Sequence, residues 1–263
     1  MQNNVQVNPI CDDLVAEAAS LDATLELLSE ELWSLPTPAA GWSVRDLVRH
    51  LWFFDRREFM ALTDPVAFDA DMRWMLANGG TDASVVPGRE LAGSSLLAAW
   101  RIDRSRLLEV ARSVDPAARI PWYGPAMAAR SFVTARLMET WAHGQDVVDT
   151  LGVKRNPTAR LKHVAHIGVR ARPFSYMING LTMPDVPLYV ALRGPDGEQW
   201  DWGEPASDRV TGDALEFCLV VTQRRHPADT ALCVEGAAAV EWISIAQAFA
   251  GEPGRGRSAG QFA

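Results

Sequence analysis

Glu139 and His143 lie four residues apart in a stretch that is apolar on nearly every side. Residues four apart on an α-helix project from one face, about one turn from each other. A carboxylate and an imidazole placed in this way can bind one divalent ion. His50, beside another apolar stripe, offers a third ligand from a second helix. With three protein ligands, the metal would keep a position open for water or substrate.

A second interpretation of the pair is an ordinary polar contact on a solvated helix face. Phe132, Ala135 and Val147 share the helical arc of the pair, which predicts that it points inward. A carboxylate buried there needs a partner, because a lone buried charge is costly. For His50 the alternative is a core histidine with satisfied hydrogen bonds. The pattern alone leaves both interpretations open.

The elements that must position these residues are helices. Ser43 and Asp46 predict the start of the second helix, and Gly152 predicts the end of the fourth. The polar interval 63–88 contains turn signals and predicts a connection. Apolar spacing near 3.6 residues predicts helices over residues 11–33, 44–62, 91–113 and 126–151. Four helices predict an up-and-down bundle with a metal site in its core.

The sequence after about residue 155 predicts a second, smaller domain of mixed type. Strands 186–193 and 198–202 flank Gly194-Pro-Asp-Gly197, a strong hairpin signal. The remaining predictions are helices over 158–175, 211–225 and 237–249 and strands over 209–210 and 231–234. The fold class is therefore α+β, with a helical bundle at 1–155 and a small α+β domain at 156–250. Residues 251–263 are glycine-rich and polar, and we expect a flexible tail that does not pack.

Composition excludes several classes of partner. The 263 residues carry a formal charge of −8, which argues against nucleic acid and anionic membranes. No run approaches the ~20 apolar residues of a membrane span, and no secretory signal is visible. The cysteines Cys11, Cys218 and Cys233 are widely spaced and form no CxxC pair. We expect a reduced, cytoplasmic protein, either a monomer or a homodimer.

The segment Gly41-Trp-Ser-Val-Arg-Asp-Leu-Val-Arg-His50-Leu resembles the histidine-bearing helix of the DinB/YfiT-like metal-binding family. More narrowly, it is similar to the N-terminal domain of the mycothiol-dependent maleylpyruvate isomerases. There a Trp-Ser-x-x-Asp-Leu-x-x-His run supplies one ligand and a later Glu-x-x-x-His pair supplies two. The resemblance covers residues 10 to 152 and implies that His50, Glu139 and His143 are the ligands. Such donors suit Zn²⁺, with Fe²⁺ or Ni²⁺ as alternatives.

The second domain also resembles that architecture, in which a sterol-carrier-like α+β unit follows the bundle. Residues 211–225 resemble its helix that ends in arginine. The resemblance implies that Arg224 or Arg225 assists catalysis by holding a substrate carboxylate, without choosing between them. The whole chain is similar to an actinobacterial metal-binding subgroup whose C-terminal part has been likened to a wyosine-base-formation domain.

These resemblances imply a thiol-dependent enzyme acting on a small molecule. A low-molecular-weight thiol, mycothiol in an actinobacterial setting, would bind the metal as a thiolate and attack a small electrophilic acid. Isomerisation by addition and elimination is one outcome, and S-transfer is another. One alternative is a hydrolase that uses metal-activated water, with Asp146 or Glu58 as base. Another is a binding protein with a structural metal, although structural zinc normally has four protein ligands.

The remaining candidates have ordinary alternatives. His163 and His166 have a spacing that suits a metal or a surface contact. Arg170 and Arg172 suit a carboxylate ligand or interdomain salt bridges. Cys218 is predicted to be a small buried residue. Asp146, one turn from His143, is predicted either to orient its imidazole or to be solvated.

Overall fold

The computed structural model describes residues 8–78, 80–124 and 126–262. Contacts divide the chain into two compact units, Met1–Lys154 and Arg155–Ala263. The first unit is dominated by helices, and the second combines helices with a four-stranded sheet. The α+β class is therefore confirmed. None of the helices in the described ranges combines the length and apolar character that a membrane span requires.

The core of the first unit lies between four long helices. These helices are α1 (Asn8–Leu25), α2 (Val44–Thr63), α4 (Gly93–Ser113) and α5 (Ala129–Leu151). Helix α2 packs mainly against α4, and α1 packs mainly against α5. Leu47 and Leu51 of α2, Trp100 of α4 and Val147 of α5 meet in one buried cluster. The predicted four-helix architecture is therefore correct.

The first predicted helix is too long, since α1 ends at Leu25 rather than at residue 33. A short 3₁₀ turn, Leu32–Ser34, then places the Trp33 ring in the core. That ring lies directly against Gly93, where a Cβ would collide with it. Glu30 accepts hydrogen bonds from the Gly93 N–H at 3.0 and 3.2 Å. After α1, the segment 30–34 therefore covers the start of α4 with Trp33, and Glu30 satisfies a backbone N–H that has no partner within α4.

The interval 63–88 contains an additional helix, which corrects its prediction as a connection. Helix α3 spans Pro65–Ala77 and buries Phe68 and Met75. Its start was visible in the sequence, because Asp64 caps the Ala67 N–H at 3.0 Å and Pro65 follows at the first helical position. A 3₁₀ segment, Gly80–Val85, comes next.

The predicted ends of the two ligand-bearing helices are confirmed. Ser43 and Asp46 form a complete capping box at the start of α2. Gly152 ends α5 in the left-handed conformation, with φ of 64°. Helix α5 begins three residues later than predicted, because the preceding chain forms a small antiparallel hairpin of β1 (Arg119–Ile120) and β2 (Met127–Ala128).

The second unit is built on a sheet of order β4-β3-β5-β6. Strands β3 (Leu188–Arg193) and β4 (Gln199–Trp202) form the predicted antiparallel hairpin. Strand β5 (Asp208–Asp213) pairs parallel to β3, and β6 (Cys233–Glu235) pairs antiparallel to β5. The helices of this unit are α6 (Leu161–Arg170), α7 (Arg172–Ile178), α8 (Ala214–Val221) and α9 (Ala237–Ile245).

Several boundaries in this unit differ from their predictions, including the end of α8, which is Val221 rather than residue 225. The helix predicted over 158–175 is two helices, because Pro173 lacks the N–H needed to continue α6. The helix predicted over 211–225 begins at residue 214, because β5 continues to Asp213, whose carboxylate caps the Leu215 N–H at 2.9 Å. The last helix ends at Ile245 rather than at residue 249.

The polar C-terminal segment packs against its own unit, contrary to the expectation of an unpacked tail. The Gly254 N–H donates to Gln247 Oε1 at 2.8 Å, and the Gly260 N–H donates to Asp229 Oδ1 at 2.7 Å. The Arg225 guanidinium stacks on the Phe262 ring at 4.1 Å. Gly254 is required sterically, because a Cβ there would collide with the Gln223 side chain, and Gly260 has φ of 80°, which glycine adopts readily.

The contact between Trp33 and Gly93 generates a stability prediction. Gly93→Ala should lower the free energy of unfolding by about 1–3 kcal/mol, because its Cβ overpacks a buried indole. Gly124→Ala is the control, since a Cβ there meets no atom within 4 Å. Urea unfolding monitored by circular dichroism measures both, and equal stability of the two variants would contradict the packing account.

Candidate metal centre

Helix α2 positions His50 at the inner edge of its buried face. The capping box fixes the start of the helix, and Leu47 and Leu51 anchor the same stripe in the core. The neighbouring Arg49 donates to the Gly88 and Arg89 carbonyls at 3.3 and 2.9 Å. The connection after α3 is therefore held against α2 beside the histidine.

Helix α5 presents Glu139 and His143 to His50. His143 Nε2 lies 3.4 Å from Glu139 Oε2, and His50 Nε2 lies 3.9 Å from the same oxygen. One ligand atom from each residue lies within 4.8 Å of the other two. Within the described ranges, no other group of three or more histidine, cysteine or acidic residues has a spacing that suits a metal ion. The structure thus brings together the three residues predicted as ligands.

The outer nitrogen of His50 is held by a residue that sequence reasoning missed. His50 Nδ1 lies 2.9 Å from Ser84 Oγ, whose hydroxyl donates to the Thr81 carbonyl at 2.6 Å. Because the hydroxyl proton is used there, we assign the Nδ1 proton to His50, donated to Ser84. Nε2 then carries its lone pair toward Glu139. No local pattern marks Ser84, which lies 34 residues from His50.

The outer nitrogen of His143 has a carboxylate beside it. His143 Nδ1 lies 3.3 Å from Asp146 Oδ2, and the Asp146 side chain is fully buried. A carboxylate at this position orients an imidazole and favours a proton on Nδ1. Of the two interpretations of Asp146, the structure matches the orienting one and not the solvated one.

Burial determines the charge states in the cluster. Burial lowers the pKa of His50 to about 4, so its imidazole is neutral at physiological pH. Burial opposes ionisation of Glu139, but the neighbouring imidazoles of His143 and His50 outweigh burial and lower the pKa of the carboxyl well below its usual range. The Glu139 side chain remains 26% exposed, whereas the two histidines are buried. The cluster therefore combines a neutral imidazole and a carboxylate that solvent reaches.

A second group of buried polar residues lies next to the cluster on the same two helices. Arg136 Nε lies 3.3 Å from Asp55 Oδ1, and Trp100 Nε1 donates to Asp55 Oδ2 at 2.6 Å. Burial raises the pKa of Glu58 well above its usual value, against the attraction of Arg136 and with repulsion from Asp55 and Glu139. We therefore expect Glu58 to be protonated when Glu139 is ionised.

Aromatic rings form one wall of the cluster. The Trp42 and Phe54 rings lie 4.9 and 4.7 Å from the His50 ring, centroid to centroid. Trp42 also stacks on His143 at 6.0 Å. Trp52, which precedes Phe54 by two residues, instead donates from Nε1 to Asp103 at 2.8 Å. The apolar wall keeps water from one side of the ligand atoms.

The other sequence candidates lie in the second unit and outside this cluster. His166 Nδ1 accepts a hydrogen bond from Trp202 Nε1 at 3.2 Å, and neither His163 nor His166 belongs to a three-residue metal-binding group in the described ranges. Cys218 is buried, as predicted, and burial raises the pKa of its thiol well above the usual value. Arg172 donates to the Pro184 carbonyl at 3.4 Å.

The two arginines predicted to assist catalysis differ in their surroundings. Arg224 is buried, and its Nη1 donates to the Thr222 carbonyl at 2.6 Å. Arg225 is half-buried, and its Nη1 donates to the Arg224 carbonyl at 2.7 Å. Both belong to the chain that follows α8.

The helical unit and its three convergent side chains define a DinB-like fold with a candidate metal centre. A family model described as the mycothiol maleylpyruvate isomerase N-terminal domain matches residues 14–148. The chain belongs to this family. The matched residues include all three of the candidate ligands.

Two uncharacterized proteins from different strains of Mycobacterium tuberculosis are each 45% identical to the chain over 252 residues. Each alignment covers 95% of this chain and 98% of the relative. The crystal structure of the mycothiol-dependent maleylpyruvate isomerase matches with a TM-score of 0.56 and 15% identity, over 84% of this chain and 90% of that chain. A histidine-to-alanine mutant of that isomerase matches with a TM-score of 0.57 and 14% identity, over the same shares. At this identity the likeness shows the fold.

The buried Glu58 carboxyl generates a prediction about pH. Its pKa is higher in the folded chain than in the unfolded chain, so the stability that its neutral form provides is present at pH 4 and is lost as the pH rises through the folded value. Glu58→Gln cannot ionise and should lose less stability than the unsubstituted protein between pH 5 and 8. Urea unfolding of chelator-treated protein across this range measures the difference.

The control for this series is Glu109→Gln, an exposed position on α4. Its pH profile should follow that of the unsubstituted protein. Parallel profiles for Glu58→Gln and Glu109→Gln would show that Glu58 ionises normally in the folded chain.

Proposed function

We propose that the protein binds one divalent metal ion through His50, Glu139 and His143 and works as a thiol-dependent enzyme of the mycothiol type. The observation that supports this most directly is the convergence of three ligand atoms within 4.8 Å, with both imidazoles held from behind at Nδ1. An inward-facing carboxylate beside two Nε2 lone pairs is a set of acceptors that a cation satisfies.

The spacing of these atoms fits a zinc-sized ion. Ligand atoms about 2.0–2.1 Å from a tetrahedral zinc ion lie about 3.4 Å from one another. The distance between Glu139 and His143 has this value, 3.4 Å, and that between Glu139 and His50 is 3.9 Å. All three ligand atoms lie within 4.8 Å of one another. Zinc is the ion that we propose, with Fe²⁺ and Ni²⁺ as alternatives.

The protein's own contribution would be positioning and exclusion of water. Ser84 and Asp146 fix which nitrogen of each imidazole points inward. Trp42 and Phe54 cover one side of His50, while the exposed part of Glu139 marks the side from which a small molecule enters. A divalent ion bound there would lower the pKa of a thiol so that the thiolate is available near neutral pH.

Family membership supports a thiol rather than water as the reacting partner. The family model is named for mycothiol maleylpyruvate isomerase, and the matching solved structures are of a mycothiol-dependent enzyme. We therefore propose isomerisation or S-transfer on a small electrophilic acid. The role expected for Arg224 or Arg225, holding the carboxylate of that acid, stays a prediction.

The contacts of the two predicted bases give less support to a hydrolase. Asp146 is fully buried beside His143 Nδ1, a position that suits orientation rather than activation of water. Glu58 is buried next to Arg136 and Asp55 and does not belong to the group of candidate ligands. A structural metal is also less well supported, because the described group supplies three ligands rather than four.

The metal assignment predicts the metal content of purified protein. The unsubstituted chain should contain about one divalent ion, and His50→Ala should lose it, because removal of one of three ligands leaves an incomplete donor set. Ser84→Ala should keep the site but bind zinc about 10–100-fold more weakly, because it releases the Nδ1 contact. Elemental analysis and competition with a zinc-sensitive dye measure these values.

His166→Ala is the matched control, since this histidine bonds to Trp202 and lies outside the candidate group. It should retain full metal content. Equal metal content in His50→Ala and the unsubstituted protein would refute the assignment.

The thiol assignment predicts a spectroscopic change in protein loaded with Co²⁺. Addition of mycothiol should produce an intense thiolate-to-cobalt absorption band in the near ultraviolet. The control is mycothiol with its sulfur alkylated, which should produce no band, because a thioether cannot form a thiolate. Absence of a band with free mycothiol, in protein with full cobalt content, would contradict the thiol-dependent function while leaving metal binding intact.

A further inference from the structure

The second unit contains a cavity with a volume of about 370 Å³. This volume lies within the usual range for small-molecule sites, roughly 300–1,000 Å³. The end of α8, strand β6, helix α9 and residues 254–257 contribute to it. Its apolar lining consists of Val220, Pro227, Val234, Val240, Ile243 and Ala246.

The polar lining of this cavity is strongly basic. Arg225, Arg255 and Arg257 line it together with His226. Neither aspartate nor glutamate is among the described residues that line it. Three guanidinium groups therefore line one cavity in a chain of net charge −8. Guanidinium groups bind planar carboxylates through paired hydrogen bonds.

One of these arginines is fixed in place by its neighbours. Arg225 Nη1 donates to the Arg224 carbonyl at 2.7 Å, and the guanidinium stacks on Phe262 at 4.1 Å. These contacts order a long side chain at the cavity wall, which lowers the entropy cost of binding a ligand. Arg224 lies one residue earlier, is buried and does not line the cavity.

A left-handed residue lies at the wall of this cavity. Gln223, one of the lining residues, has φ of 60° and ends α8. The Gln223 N–H donates to the Val220 carbonyl at 2.9 Å, and the Arg224 N–H donates to the Leu219 carbonyl at 2.7 Å. Gln223 Nε2 donates to the Ala246 carbonyl at 3.2 Å, and its amide lies against Gly254, where a Cβ would collide with it. These contacts hold the wall that Gln223 and Gly254 form.

We propose that this cavity is a second ligand site, which binds a small organic anion with an apolar body. The acidic head would lie against Arg225, Arg255 and Arg257. The body would lie against Val234 and Ile243, and the exposed Val240 would extend the apolar surface. The site is distinct from the metal centre, because every lining residue belongs to the second unit and none is a candidate metal ligand. Arg225, one of the two arginines considered for the substrate carboxylate of the proposed function, is thereby assigned to this cavity.

Calorimetric titration of the chelator-treated full chain with octanoate tests the site. Octanoate combines a carboxylate with an apolar chain and should bind with a stoichiometry of one. Octylammonium has the same chain and the opposite charge, and acetate has the same head without the chain. Both should bind at least tenfold more weakly, because each removes one of the two complementary interactions.

Substitutions locate the binding. Arg225→Gln and Arg255→Gln should each weaken octanoate binding about tenfold, and Val240→Asp should weaken it by placing a carboxylate beside the apolar body. Arg193→Gln is the control, an exposed strand arginine of the same unit whose side chain is 74% exposed and which does not line the cavity. If Arg225→Gln does not fold, the exposed Arg255 and Val240 still give the test.

The metal-centre variant His50→Ala separates this proposal from the proposed function. It should bind octanoate with unchanged affinity even though it is expected to lose the metal. Equal affinities for octanoate and octylammonium, or full affinity in Arg225→Gln, Arg255→Gln and Val240→Asp, would overturn the proposal. Loss of octanoate binding in His50→Ala would do the same, because it would place the anion at the metal centre.

Discussion

The cost of burying polar groups is the constraint on which the first unit depends. His50, His143 and Glu139 converge at the inner faces of two helices, and each buried polar atom there needs a partner. Ser84 and Asp146 supply partners for the outer nitrogens. The inner atoms are all acceptors and point at one another. That arrangement is unfavourable for an empty core and favourable for one that holds a cation.

The neighbouring charges follow the same rule. Asp55 lies against the buried Arg136 and accepts from the Trp100 indole, while burial raises the pKa of both Asp55 and Glu58. The charge of carboxyl groups on adjacent turns thus depends on burial and on the cations and donors beside them. The second unit places its basic groups differently, around a cavity with an apolar wall. The two units therefore present opposite chemistry, one that suits a cation and one that suits an organic anion.

Much of this structure could be predicted from local signals. The capping box at Ser43, the stop at Gly152 and the hairpin at Gly194-Pro-Asp-Gly197 are short-range features, and all three are correct. The inward arc of Glu139 and His143 follows from helical periodicity. Ser84 could not be found in this way, because its contact with His50 depends on how a connection folds back on a helix. The sequence does not predict helix α3, although Asp64-Pro65 signals its start, because the turn residues that follow favour a connection.

The separation of the candidate ligands along the chain has a thermodynamic consequence. His50 and Glu139 are 89 positions apart (139 − 50), so an ion that binds both acts as a reversible cross-link that closes a long loop. Closing a loop costs configurational entropy that grows with the logarithm of its length, and a bond that survives partial unfolding removes that cost from refolding. A divalent ion bound at this site would therefore influence how fast α2 and α5 pack together again after they separate. The ion would then act on the folding pathway as well as on the reaction.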